Sequence, residues 1–420
     1  MPIEVISGPH YNAVGRGMAY GATPTAAVTL YGGLTALASW PVEALYDGIP
    51  ASPMVSSAEY GTYYFDISLN MIPCGDGEQA SAVGWSTTAC SIATSATNVF
   101  KGAKSLSLWS SAGAGRGYLT IQVQAGDRLW YHVALGYVSA PDTAKLVVYD
   151  PQLGRWLAAD GSWSAVFAAA FESSETAAFE SKKATFTVPS VSEWLTPAGE
   201  LEVSIYPSDS GGGGNCFAEL VLYPTVDFLG IFGHNLPAAA AVSLTSYADW
   251  WHGGAATVEA SWSSPQRPVA WLPIGTPLAH PFYRLTIAAS PFQLWCGELV
   301  LGRRSTLSAY SEYSPRLEIV HPQVRNVSRG GSGWAQAAAR YPIRSLSLPF
   351  DVDSAAAAEM QDLGAMTRGG QTPIVLLPGD THPDVCLLGR IQERQSFAMP
   401  NFLRQTTELV VVEEAFPSLD

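Results

Sequence analysis

Apolar and polar positions alternate with a period of two along most of this chain, and that alternation predicts strands. Tyr63, Phe65, Ile67 and Leu69 alternate with Tyr64, Asp66 and Ser68, the pattern of a sheet with one buried face. The same reading predicts strands at Ser105–Trp109, Tyr118–Val123, Leu129–Leu135, Lys145–Tyr149, Thr185–Val188, Leu201–Tyr206 and Phe217–Tyr223. Turn chemistry separates most of them, at Ala125–Asp127, Asp150–Gly154, Ala159–Ser162 and the glycine run Ser208–Asn215. Short strands spaced by such turns specify a sandwich or jelly roll. Further strands are predicted at Ala241–Ser246, Ala256–Ser261, Tyr283–Ile287 and Gly297–Leu301. The last hundred residues change character. A helix is predicted over Ser354–Arg368, capped by Asp353 or Ser354, rich in alanine and stopped by Gly369-Gly370. Strands at Arg344–Phe350, Pro373–Leu377, Val385–Leu388 and Thr407–Val412 surround it, which makes a small α+β region.

The order of these segments carries information of its own. Gly61–Asn70 reads as a strand whose natural continuation appears only at Thr225–Leu236. Between them lies a stretch with its own opening at Gly75 and its own end at Pro224. The expected organisation is therefore an N-terminal arm (residues 1–32), a β-sandwich split between 33–72 and 225–312, a second β-sandwich inserted at 73–224, and a C-terminal α+β domain at 313–420. The arm is rich in glycine and proline with little periodicity. The fold class is mainly β.

Composition narrows the function. An apolar fraction of 47% is ample for several cores, while charged residues reach only 14%, against roughly 25% in ordinary soluble domains. A charge-poor surface suits a protein covered in part by partners, and it equally suits an alanine- and serine-rich β-protein. A net charge of −14 with no basic run excludes nucleic-acid binding. No apolar stretch reaches the ~18 residues of a membrane-spanning helix, so no membrane insertion is expected. No basic segment followed by an apolar one opens the chain. Cys74, Cys90, Cys216, Cys296 and Cys386 are odd in number and lack metal-ligand spacing, so reduced thiols and folding in a cytoplasm are expected.

Catalytic patterns are missing: the chain has no GxSxG, HExxH, phosphate-binding or dinucleotide-binding glycine motif. His234 opens a turn, where satisfying backbone groups is the simplest role. Glu172 and Glu175 are a carboxylate pair without a cleft to share. An enzyme is not expected. Saccharide binding fits better, because β-sandwich lectins stack pyranose rings on exposed aromatics. Of Trp85, Trp109, Trp130, Trp156, Trp163 and Trp194, the pair Trp109 and Trp130 sits inside strand patterns and reads as core. Trp156 and Trp163 follow the turns QLG and ADGS and are the carbohydrate-binding candidates, anchoring of the loops being the other reading. Asp249–Gly253 forms a further aromatic loop suited to protein packing.

Gly75–Glu78, Gly84-Trp85, Gly102–Leu106 and Val123–Asp127, closed by Phe217-Ala218-Glu219, resemble the motif order of carbohydrate-binding-module jelly rolls. The resemblance implies a structural calcium held by Glu78 and Glu219, although Ala218 stands where the family has an acid. LYDGIPASP and YYFDISLN, joined to VDFLGIFGHNLP, FYRLTI and LWCGELVLGR, resemble the discoidin-like sandwich of bacteriophage tail proteins. The segment from Arg344 to Glu414 is similar to the terminal domain of distal-tail or minor-tail proteins. These resemblances imply a virion protein at the tail tip or baseplate, made in the host cytoplasm. Its partners would be copies of itself in a ring, the tail tube, the tail hub and a host cell-surface saccharide. A secreted lectin, an accessory region of a carbohydrate-active enzyme, and a tail subunit without ligand are the alternatives.

Overall fold

The computed structural model describes residues 4–6, 28–30, 33–39, 41–45, 53–75, 77, 81–82, 84–111, 115–123, 126–139, 142–189, 199–208, 214–247, 256–263, 269–307, 316–320, 323–327, 333–337, 343–352, 361, 363, 374–377, 386–392, 397–398 and 405–413. Among them the protein is almost entirely β, in antiparallel sheets packed face to face. The mainly β expectation holds.

One sandwich takes its strands from both sides of a long excursion. Its first sheet runs Ala256–Ser263, Ala241–Tyr247, Phe282–Phe292, Tyr60–Ser68, Val28–Leu30; its second runs Val269–Leu278, Val226–His234, Trp295–Gly302, Met54–Val55. Tyr63, Phe65 and Ile67, the buried face read from the alternation, meet Leu229, Ile231, Leu285 and Leu299 in its core. Tyr60–Ser68 pairs with Phe282–Phe292 and Val28–Leu30 rather than with Val226–His234, which lies in the facing sheet. The expected continuation from Asn70 to Thr225 is thus corrected to a contact through the core. The patterns agree with this placement: Tyr60–Ser68 alternates, whereas Val226–His234 is buried at every position. A strand covered on both faces gains nothing from polar alternation. Its second cover is the C-terminal sheet, where Val375, Cys386 and Leu388 pack on Phe228, Phe232 and Val300.

The excursion forms the second sandwich. A seven-stranded sheet runs Trp163–Ser164, Arg155–Leu157, Ala144–Asp150, Gly199–Tyr206, Arg116–Val123, Ser86–Thr88, with Phe171–Ser173 also on Ala144–Asp150. A five-stranded sheet backs it: Phe179–Thr187, Arg128–Gly136, Gly214–Pro224, Ser105–Ser110, Cys90–Ser95. Leu106, Leu108, Val133, Leu135, Leu146, Val148, Val203 and Leu220 fill the space between them. The two strands that connect the sandwiches are fastened side by side. Met71 donates its N–H to the carbonyl of Leu222 at 2.6 Å, and Asn70 Oδ1 accepts the N–H groups of Ile72 and Leu222, both at 3.0 Å.

A third, eight-stranded sheet joins distant parts of the chain in the order Ser305–Thr306, Glu4–Ile6, Ile374–Leu377, Leu387–Ile391, Gln405–Glu413, Ile343–Val352, Arg316–Val320, with Phe397–Ala398 on the strand Gln405–Glu413. Arg344 clips three of these strands together. Its Nε donates to both carboxylate oxygens of buried Glu413 at 2.9 and 3.0 Å, and its Nη2 donates to the carbonyl of Cys386 at 3.2 Å. Most of the predicted helix Ser354–Arg368 lies outside the described residues; Gln361 and Leu363 are helical, and Leu363 is buried. The loop Asp249–Gly253 also lies outside them.

All five cysteines are free thiols. Burial pushes the thiols of Cys216, Cys296 and Cys386 far above the ordinary range, which makes them inert packing groups. His234 is fully buried, and its Nδ1 accepts the N–H of Leu236 at 3.1 Å. This is the turn-satisfying role read from the sequence.

Candidate saccharide-binding face

Strand parity decides which side chains the seven-stranded sheet turns outward. In Ala144–Asp150, Leu146 and Val148 enter the core, so Lys145, Val147 and Tyr149 face away. The register carries that outward face across the sheet: Tyr149 opposes Trp156 on one side and Glu202 on the other, and Glu202 opposes Thr120. A second row runs Val147, Ser204, Tyr118, Ser86, and Lys145 opposes Tyr206.

Two turns place the edge of this face. Asp150 is buried, and its Oδ1 accepts the N–H groups of Gln152 and Leu153 at 2.9 and 3.0 Å. Gly154 closes the turn with a φ of 61°, a conformation that glycine adopts at little cost. The chain is thereby reversed into Arg155–Leu157 with Trp156 outward and Leu157 in the core. The next turn repeats the device: Asp160 Oδ1 accepts the Ser162 N–H at 2.9 Å, and Gly161 has a φ of 86°. The hydrogen bonds from Ser162 hold the Asp160 carboxyl below its ordinary range.

The result is a continuous run of rings. Tyr149 and Trp156 lie 4.8 Å apart at an interplanar angle of 30°. Phe167 stands 6.3 Å from Trp156 and 6.3 Å from Tyr206, edge-on to the latter, and is itself 51% exposed. The Arg116 guanidinium continues the run, 4.8 Å above the Tyr118 ring and 5.8 Å from the Tyr206 ring. It is locked in place. Its two terminal nitrogens engage the two carboxylate oxygens of Glu202, with Nη2 to Oε2 at 3.3 Å, and Nη1 also donates to the Tyr206 hydroxyl at 3.2 Å. Ser204 Oγ donates to Glu202 Oε1 at 3.0 Å, and Gln122 Nε2 donates to Glu200 Oε1 at 3.0 Å. Partial burial alone would make Arg116 easier to deprotonate. The neighbouring Tyr206 and Glu202 outweigh that and raise it further.

Flat apolar surfaces flanked by fixed, uncharged or internally neutralised hydrogen-bonding groups suit a pyranose, whose ring faces are apolar and whose edges carry hydroxyls. The strand Phe171–Ser173 adds Glu172 beside Lys145 at 3.4 Å, while Glu175 sits in a turn where its N–H donates to Ser173 Oγ at 3.3 Å.

The two sequence-predicted tryptophans part company. Trp156 lies on the outward face. Trp163 opposes Leu157, turns toward the core, packs 5.9 Å from the Phe186 ring and donates Nε1–H to the Thr187 carbonyl at 2.9 Å. Trp109 and Trp130, read as core, are corrected. Trp109 is 56% exposed on the five-stranded sheet, because Leu106 and Leu108 take the inward parity of that strand. Trp130 points away from its own core and packs on the core of the other sandwich. Tyr118, Tyr149, Phe167, Tyr206 and Arg116 were missed. The signal that finds four of them is parity, since each lies on a strand and off-phase from its buried aliphatic neighbours.

Of the calcium candidates, Glu78 lies outside the described residues. Glu219 is only 1% exposed, and its carboxylate accepts the N–H of Phe100 at 2.7 Å and of Lys101 at 3.1 Å. No group of three His, Cys, Asp or Glu side chains that could hold a metal occurs among the described residues. The described donors do not fit a cage of six to eight oxygens. Backbone amides complement the Glu219 charge instead.

No protein-family model matches the chain, and no curated protein does. Among solved structures it is similar to a xylan-binding domain from Paenibacillus barcinonensis, with 12% identity and a TM-score of 0.26 over 36% of this chain and 90% of that one. A carbohydrate-binding module solved with β-1,4-galactotriose is similar at 15% identity and a TM-score of 0.25, over 37% of this chain and 98% of that one. The enzymatically active domain of a tailspike protein from bacteriophage CBA120 is similar at 14% identity and a TM-score of 0.27, over 37% of this chain and 21% of that one.

Proposed function

We propose that the chain is a non-catalytic saccharide-binding protein of a tailed-phage virion, which presents the outward face of its seven-stranded sheet to a host surface glycan. The observation that carries the binding reading is the run Tyr149, Trp156, Phe167 and Tyr206, continued through the locked Arg116 to Tyr118. The strands from Trp156 to Tyr118 span three inter-strand gaps, about 14 Å at the usual spacing, which matches a few sugar rings in line. The placement in a tail rests on the resemblance of the flanking segments. Several copies in a ring would compensate weak individual sites by avidity.

Two experiments test the two halves. Full-length protein applied to an array of neutral and acidic polysaccharides should be retained, and Trp156→Ala and Tyr149→Ala should each weaken retention. No retention on any glycan, or retention indifferent to both substitutions, overturns the binding reading. Negative-stain microscopy should show rings; a monomer at all concentrations overturns the tail placement.

A further inference from the structure

We infer that the apolar loop tip Val166-Phe167, beside the ring run, takes acetyl groups carried by the glycan, so that the face prefers acetylated chains to their unsubstituted counterparts. This rests on the saccharide-binding reading above and adds the class of ligand.

The tip stands out by composition and exposure together. The stretch Ser162–Phe171 carries no charge and is apolar apart from Ser162 and Ser164. Among the described residues five large apolar side chains are exposed, and two of them, Val166 at 74% and Phe167 at 51%, are neighbours here. Single exposed apolar residues are ordinary; an adjacent pair at the rim of a ligand face reads as a contact surface. Both ends of the loop are fixed. Ser164 opposes Trp156 in the sheet, and its Oγ accepts the Val166 N–H at 3.0 Å. At the far end Ala170 is fully buried and donates its N–H to the Leu146 carbonyl at 2.9 Å. The Ala170 carbonyl accepts from the Tyr131 hydroxyl and from Lys182 Nζ, both at 3.1 Å. The short span between Ser164 and Ala170 thus holds Val166 and Phe167 outward from two anchored stems.

Phe167 decides the occupant. Its ring lies 6.3 Å from Trp156 and 6.3 Å from Tyr206, so it belongs to the ring run as well as to the tip. A group resting on Val166 therefore borders the rings on which a sugar would stack. Its chemistry must be apolar. A sugar hydroxyl placed against Val166 would lose its water partners and gain no hydrogen bond, whereas the methyl of an acetyl ester or acetamide gains by burial. A lipid surface suits the tip less well. One valine and one phenylalanine bury too little to hold a protein on a bilayer, and a net charge of −14 is repelled by anionic lipid.

The test uses the full chain and two matched pairs of neutral probes. Fully N-acetylated chitohexaose is compared with cellohexaose by isothermal titration. Partly O-acetylated glucomannan is compared with the same glucomannan after saponification by affinity electrophoresis. In at least one pair the acetylated member should bind about fourfold tighter or more, the usual gain for burying one methyl. Val166→Ser should narrow that ratio to under about twofold, and Val166→Leu, which keeps the apolar surface, should preserve it. Equal binding within both pairs, or a preference that Val166→Ser leaves intact, overturns this inference and leaves the saccharide-binding reading standing. Val166-dependent retention on phosphatidylcholine vesicles with no acetyl preference overturns it in favour of a lipid surface. Binding of none of the four probes also overturns it, and retention on the array above then decides the saccharide-binding reading alone.

Discussion

On the seven-stranded sheet, Trp156, Tyr149 and Tyr206 face outward and remain half-exposed. On the five-stranded sheet behind it, Ala134, Val221 and Tyr223 also face outward, yet they are buried in the core of the neighbouring sandwich. Both sheets follow the same alternation and both place aromatics on the far side. Their fates differ because the neighbouring sandwich covers these positions of the five-stranded sheet, although it leaves Trp109 exposed. An outward aromatic is a binding group or a packing group according to what lies across from it, and the strand itself does not decide.

The largest expected effect comes from the covered face. Tyr223→Ala should cost about 3–5 kcal/mol, the usual range for truncating a buried aromatic. Because Tyr223 belongs to the core of one sandwich and the strand of the other, denaturant unfolding should remain a single transition. Two separated transitions, or a loss under about 1 kcal/mol, would show that the faces are less different than described.

Trp163 offers a sharper contrast within one turn. Trp163→Ala should lower stability by about 2–3 kcal/mol through lost packing on Phe186 and the lost hydrogen bond to the Thr187 carbonyl. Affinity per folded molecule should hold. Trp156→Ala should do the reverse: a roughly tenfold loss of glycan affinity, about 1.4 kcal/mol, with stability changed by less than about 1 kcal/mol. If the two variants behaved alike, the distinction between them by strand parity would fail.

The smallest effect concerns the boundary between the sandwiches. Lys183 on the strand Phe179–Thr187 donates to the Ala279 carbonyl at 3.4 Å, next to His280. Burial, assisted by the Lys183 charge and opposed by Glu259, holds His280 below its ordinary 6.5. The unfolded chain thus binds the extra proton first. Stability is fully present above pH 6.5 and declines as pH falls through the folded value. For a half-exposed ring, screening limits the effect to under about 1 kcal/mol. His280→Gln should flatten that decline in thermal melts; an unchanged slope would remove His280 from the boundary's pH response.

Much of the fold was legible because most strands obey a period of two. Lys145–Tyr149 became Ala144–Asp150, and Leu129–Leu135 became Arg128–Gly136, each extended by a residue or so. Pairing was less legible. Val226–His234 reads as the continuation of Gly61–Asn70 because both are apolar, but its burial on two faces makes it a shared wall between layers. Of the tryptophans, Trp109 was misread by weighing hydrophobicity above parity, since Leu106 and Leu108 already claim the inward positions. Trp130 obeys parity too, but no local pattern reveals that another sandwich lies opposite. The site was half-visible: the turn before Trp156 marked one end of the face, while Arg116 and Tyr206 join it only through registers spanning about ninety residues.

The short strand Glu4–Ile6 sits between Ser305–Thr306 and Ile374–Leu377. During synthesis it must wait for both partners, so its sheet is the last to close and both sandwiches have the chance to fold before it does. Until then the strand Val226–His234 would hold Phe228 and Phe232 against water. A nascent chain arrested before Ile374 should therefore expose an adhesive apolar face, the natural target of a chaperone.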